Sequence, residues 1–242
     1  MRGGRSRRGP DGVWTAERVL ETLAAMGSEK DRAGMARYGI ETARAFGVSV
    51  SALRGLARCT GRDTALARDL WASGRHESRI LAALVAVPAE VEESDIDAWV
   101  QNLDSWDLCD QFCNNLVRTL PFAPAKARAW SAAEAVFVKR AGFTLMACLA
   151  VHDKDLDDAA FTEFLRAVER EAADDRNFVK KAVNWALRQI GKRSAGLNAA
   201  AVALSVRLKS GESRAARWIG ADAYRELTSD KVRARFESGG PP

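Results

Sequence analysis

Trp106 and Asp110 stand four residues apart in the stretch Ser105-Trp106-Asp107-Leu108-Cys109-Asp110-Gln111. On an α-helix an i,i+4 pair shares one face, so this spacing sets an indole and a carboxylate side by side, a π surface next to a single negative charge. Asp107 is turned about 100° away from Trp106 by the 3.6-residue period. It suits local pairing near a helix start, where an acid complements the dipole, better than it suits a second catalytic carboxylate. The pair is either a half-site or a helix edge, and the rest of the chain must decide which.

Three further stretches concentrate large or charged groups. In Phe137-Val138-Lys139-Arg140-Ala141-Gly142-Phe143 two cations lie inside an apolar helical run, so each must reach water or meet a partner. From Arg176 to Gln189, Lys181, Trp185 and Arg188 or Gln189 fall near one helical stripe, interleaving cations with an indole as a surface gripping a nucleic-acid backbone does. Arg75-His76-Glu77-Ser78-Arg79 opens a helix after Gly74. The plainer alternatives stay open at this level. Lys139, Arg140, Lys180 and Lys181 can be solvated charges, Trp185 a core residue, and His76 and His152 hydrogen-bonding residues at helix ends rather than ligands or bases.

These residues sit in a chain whose period is helical almost throughout. Apolar residues recur at helical spacing over about 15–26, 29–37, 50–58, 62–72, 75–85, 94–103, 105–119, 124–130, 133–150, 158–173, 176–191, 195–209 and 213–227. Breakers such as Gly61, Gly74, Pro88, Pro121, Gly191 and Gly211 fall between the runs, and sustained period-2 alternation is lacking. Short helices at two per roughly 35 to 45 residues predict an all-α fold, an α-solenoid of stacked helix pairs, with a compact bundle as the other possibility. A curved solenoid offers a concave face, and a cationic lining fits such a face to a duplex.

The 242 residues are enough for one large domain or two small ones, with a core that needs no staples. The division expected is a disordered basic arm over 1–12, a single repeat domain over 13–228 and a frayed tail over 229–242. A net charge of +5 and a pI near 9.2 fit a polyanionic partner without requiring one. Cys59, Cys109, Cys113 and Cys148 lack paired spacing with His76 and His152, so no metal site and no cofactor are expected, and four buried, reduced thiols in a cytoplasmic protein are. No apolar run approaches the 18 or so residues of a membrane span, and Met1 to Arg8 is not followed by the apolar segment of a secretory signal.

Taken together, Ser105 to Asp110, Phe137 to Ala141, and Asn177-Phe178-Val179-Lys180-Lys181-Ala182-Val183-Asn184-Trp185-Ala186-Leu187-Arg188, in that order, resemble the AlkD-like DNA glycosylases. The resemblance runs from about Gly34 to Leu227. It implies HEAT-like helical repeats curved around a concave cationic face, and an active-site surface whose roles fall on Trp106, Asp110, Arg140 and Trp185. It implies a monomer acting on duplex DNA that contains alkylated bases, associated with the nucleoid when bound. Lys180, Lys181 and Arg188 are expected as weaker contacts to the DNA backbone.

The chemistry so implied is economical. An N3- or N7-alkylated purine already carries positive charge, so it leaves without being protonated. What remains is to stabilise an oxocarbenium-like sugar and direct a water to C1′, for which one carboxylate, Asp110, suffices. The tryptophans would face the sugar and the cationic nucleotide, Arg140 would hold a phosphate with its planar fork, and no deep base pocket is expected. A non-catalytic helical-repeat module that binds nucleic acid is the alternative, and a protein-binding adaptor is a third.

Overall fold

Apolar stripes at helical spacing can be buried only against other helices, and the computed structural model, which describes residues 13–237, is helical accordingly. The described residues contain fourteen α-helices, two 3-10 turns and no strand. The basic arm expected over 1–12 and the last five residues of the tail lie outside the described residues. Helices α1 (Ala16–Met26), α2 (Glu29–Ala36), α3 (Val50–Thr60), α4 (Thr64–Ala72), α5 (His76–Val85), α6 (Glu93–Val100) and α7 (Trp106–Asn115) belong to a first compact unit that ends at Leu120. Helices α8 (Ala123–Ser131), α9 (Val136–His152), α10 (Asp158–Glu171), α11 (Asn177–Ile190), α12 (Ala195–Lys209), α13 (Arg214–Leu227) and α14 (Asp230–Glu237) belong to a second, which begins at Pro121.

Half of the α-helix starts follow from a single capping side chain. The side chains of Thr15, Ser28, Ser49, Asp63, Asp157, Ser194 and Ser213 each accept a hydrogen bond from an otherwise orphaned N–H of the first turn. Two departures from the sequence reading stand out. The helix expected from 105 to 119 stops at Asn115, and a 3-10 turn over Val117–Thr119 replaces its end. The Arg118 guanidinium donates to the Asn114 carbonyl, so a side chain satisfies a terminal acceptor that another helical turn would have used. At the other end of the chain, α14 occupies part of the stretch read as a frayed tail.

In the first unit α5 is central, packing against α1, α3, α4 and α7. Trp71 of α4 and Trp99 of α6 stack with centroids 4.7 Å apart, and the Phe112 ring of α7 closes on Trp71 at 5.1 Å. That aromatic cluster fixes α7 against its neighbours through the face opposite its exposed edge.

The second unit has two layers. Helices α9, α11 and α13 pack in sequence in one, α8, α10 and α12 in the other, and neighbours across the layers touch. The α9 side chains are buried from Val138 to Ala150, so this helix is the core of the unit rather than one side of it. Its approach to α8 depends on Gly142, where an added Cβ would come within 2.3 Å of the Ser131 backbone nitrogen. Gly142→Ala must therefore push two helices apart, and we expect a loss of about 1–3 kcal/mol in urea denaturation. An unchanged midpoint would show that the interface has slack.

Candidate functional site

In the first unit, Trp106 is the first residue of α7 and Asp110 lies one turn on, both half-buried. The indole N–H of Trp106 donates to the Tyr38 carbonyl at 3.0 Å, which ties the ring to the segment after α2. Asp107 points elsewhere, as its position implies. Its Oδ2 lies 2.9 Å from Nε2 of His76, the first residue of α5, and His76 is only 4% exposed.

His76 belongs to a cluster that spans one helical turn. The buried Glu77 carboxylate accepts hydrogen bonds from the backbone N–H groups of Phe46, Gly47 and Val48 at 2.9, 2.7 and 3.1 Å. Gly47 is required there, since its φ is +83° and a Cβ would meet the Ser28 carbonyl oxygen at 2.2 Å. The Arg79 guanidinium donates to the Asn102 carbonyl at 3.0 Å and to Asp104 at 3.2 Å. The His76 N–H donates to the Arg44 carbonyl at 3.1 Å. The start of α5 thus fastens both the segment that leads to Gly47 and the segment that leads to Trp106. Charge density flagged these residues in the sequence, but their partners are more than twenty residues away, beyond the reach of any local pattern.

Electrostatics agree with the geometry. Burial opposes charge on His76, yet the hydrogen bond and charge of Asp107, with Glu77 and Asp104 nearby, outweigh it and raise the imidazole pKa. Burial likewise opposes charge on Asp107, and the hydrogen bond and charge of His76 outweigh it in turn and lower the carboxyl pKa.

In the second unit, neither cation of the Lys139-Arg140 pair is a solvated surface charge. Lys139 Nζ lies 2.7 Å from Glu171 and 3.5 Å from Asp174. Burial works against its charge, but these two carboxylates prevail and raise its pKa. Arg140, 5% exposed, donates from Nη1 to the Phe178 carbonyl at 2.8 Å, and the Phe137 and Phe178 rings pack on each other with centroids 5.3 Å apart. Arg140 thereby links α9 to the first turn of α11. On α11, Lys181 is exposed and Trp185, one turn on, is half-buried. Lys180 places its ammonium 5.1 Å from the ring centroid of Trp218 on α13. Arg188 meets Asp222 at 3.3 Å and also pairs with Glu226, so its charge is balanced within the unit.

Trp218 escaped the sequence reading. It is 42% exposed, an unusual condition for an indole, and the lysine above it continues the cation and aromatic pattern of α11 onto α13. Its helix carries no motif, and only the packing of α11 on α13 brings it beside Lys180. Of the four cysteines, all free, Cys59 is exposed and the other three are buried, which corrects the expectation of four buried thiols. Among the described residues no group of three or more His, Cys, Asp or Glu side chains is placed to hold a metal ion, and no helix is long and apolar enough to cross a membrane.

A family model described as DNA alkylation repair enzyme matches residues 19–227. Among solved structures, one described as a new family of proteins related to the HEAT-like repeat DNA glycosylases, with affinity for branched DNA structures, matches with a TM-score of 0.73 at 21% identity, over 88% of this chain and 95% of that one. The fold is therefore a HEAT-like helical repeat. No curated protein matches the sequence.

The two pKa shifts set the sign of a pH effect. The share of His76, whose folded pKa is raised, is complete below about pH 6.5 and is lost as pH rises through the folded value; the share of Asp107, whose pKa is lowered, is complete above about pH 3.9 and is lost as pH falls through the folded value. In a double-mutant cycle of His76→Gln and Asp107→Asn, the coupling should be largest between about pH 4 and 6.5 and shrink toward alkaline pH. A coupling that does not vary with pH would exclude a charged pair.

Proposed function

Since the chain belongs to the DNA alkylation repair enzyme family, we propose that it is a DNA glycosylase that hydrolyses the N-glycosidic bond of N3- or N7-alkylated purines in duplex DNA, acting as a monomer. The family is one of DNA repair; the reaction and the lesion are the proposal. The observation that carries it is the Trp106 and Asp110 pair on one face of α7, where the indole N–H is committed to the Tyr38 carbonyl and the ring is thereby held in place.

In this reading the C1′–N bond breaks with its electron pair passing to the cationic base, which leaves neutral. Asp110 stabilises the positive charge that grows on the sugar and orients the water that adds to C1′, whose proton then passes to the carboxylate or to solvent. Trp106 and Trp185 turn aromatic faces to sugar and nucleotide, each worth about 0.5–2 kcal/mol as a cation–π contact. Arg140 is assigned to a phosphate near the lesion. With so little of its surface open, it is a guanidinium held by the Phe178 carbonyl rather than a mobile chain. Lys180 and Lys181 are assigned to the DNA backbone. No group in this set needs to reach the base itself, which favours hydrolysis without deep base flipping and tolerance of bulky adducts.

A second reading, a non-catalytic DNA-binding module, is favoured by the affinity for branched DNA ascribed to the structural relative. Release of 7-methylguanine or 3-methyladenine from methylated duplex separates the two. The wild type should release base and Asp110→Asn should do so about 10²- to 10³-fold more slowly. Duplex binding with release no faster than the uncatalysed rate would leave the second reading standing. Salt dependence tests the backbone contacts. Lys180→Gln and Lys181→Gln should each lower the slope of log K against log salt by about 0.9, and Arg188→Gln by less, because Asp222 and Glu226 already balance that charge.

A further inference from the structure

The layer of the second unit that carries neither Arg140 nor Trp185 contains a cavity of about 250 Å³ between α8 and α10. Arg128, Arg166 and Arg170 line it with Ser131, Ala167 and a single acid, Glu163. Three guanidiniums against one carboxylate leave the lining with a net positive charge. Glu163 offsets little of it, since its one ion pair there, with Arg128, is 3.7 Å long between side chains about half exposed. Arg166 and Arg170 take part in no hydrogen bond or ion pair among the described residues.

Helix dipoles account for part of this cluster. Arg128 and Arg170 occupy the last turns of α8 and α10, where a cation complements the carbonyl end. Arg166 lies one turn back from Arg170 on α10, beyond the range of that effect, and still faces the same cavity. Elsewhere in this layer an arginine has an acid to meet, as Arg207 of α12 meets Glu169 at 3.0 Å. The charge between α8 and α10 is left over by comparison. Ser131 is fixed beneath it, its hydroxyl donating to the Arg128 carbonyl at 2.8 Å, and the close contact at Gly142 holds the α8 backbone in place.

We propose that this cavity binds a phosphodiester of a second DNA segment, separate from the one engaged through α9 and α11. The proposal rests on the DNA-binding part of the functional reading above. Guanidinium forks match phosphate oxygens two at a time, which lysines cannot do. The exposure of Arg128 and Glu163 opens the cavity at its side, and a strand needs that opening because it must enter and leave, whereas a free phosphate does not.

The test uses the full chain and short duplexes at low salt, with the number of duplexes bound per chain read by native mass spectrometry. Two per wild-type chain are expected, and one for Arg166→Gln/Arg170→Gln, whose second duplex should bind at least about tenfold more weakly while base release from the first is unchanged. One duplex per wild-type chain, or an unchanged second site in the double variant, overturns the proposal and leaves the glycosylase reading intact. Failure to bind any duplex overturns both. Inorganic phosphate that competes for the second site as strongly as duplex does, or a polyglutamate peptide that occupies it more tightly, would assign the cavity to a small anion or to an acidic protein instead of DNA.

Discussion

A hydrogen-bonded pair, His76 buried and Asp107 largely so, governs how the start of α7 is held in the first unit. Leaving either partner charged and alone would cost several kcal/mol, so the two segments that carry them are kept in register. Asp107 follows Trp106 directly, and any displacement of the pair would carry the indole away from the Tyr38 carbonyl and rotate Asp110 with it. Glu77 and Arg79 act in the same sense on the flanking segments, through three backbone amides and a backbone carbonyl. A residue beside the proposed catalytic carboxylate thus serves to hold it in place, a division of labour between neighbouring acids that their different partners impose.

The second unit meets the same problem on a helix that is almost wholly buried. Lys139 and Arg140 lie within the apolar run of α9, and desolvation alone would expel or neutralise the lysine. Two carboxylates from the end of α10 and the turn beyond it hold the charge of Lys139, and a carbonyl from α11 engages Arg140. The cost of burying these cations is offset by joining α9 to α10 and α11, so the start of α11, which leads to Lys180, Lys181 and Trp185, is set by the same residues that fill the core.

An alkylated purine asks little of an enzyme because the leaving group is activated before binding. A protein that only has to stabilise a sugar cation, direct water and hold a backbone can be built from one carboxylate, aromatic faces and cations on helices, with no metal and no enclosed base pocket. The helical-repeat architecture supplies such surfaces readily. In the second unit one layer carries Arg140, Trp185 and Lys180 and the other carries Arg128, Arg166 and Arg170, the two surfaces proposed to meet DNA.

Local physics determined much of this protein. The 3.6-residue period placed nearly every helix in the sequence within a few residues, and the spacing of Trp106 and Asp107 was enough to turn the Asp107 carboxylate away from the indole, toward His76. Where the sequence reading failed, competing interactions decided. The Arg118 side chain takes an acceptor at the early end of α7, and Cys59 reaches the surface. What only the tertiary structure decided are the partners: His76 for Asp107 across 31 residues, Tyr38 for Trp106 across 68, Phe178 for Arg140 across 38, and Trp218 beneath Lys180. Helix formation is a matter of neighbours three and four residues apart, which a sequence displays. The desolvation of a charge is resolved by whichever group folding brings within 3 Å, and no spacing along the chain records which one that will be.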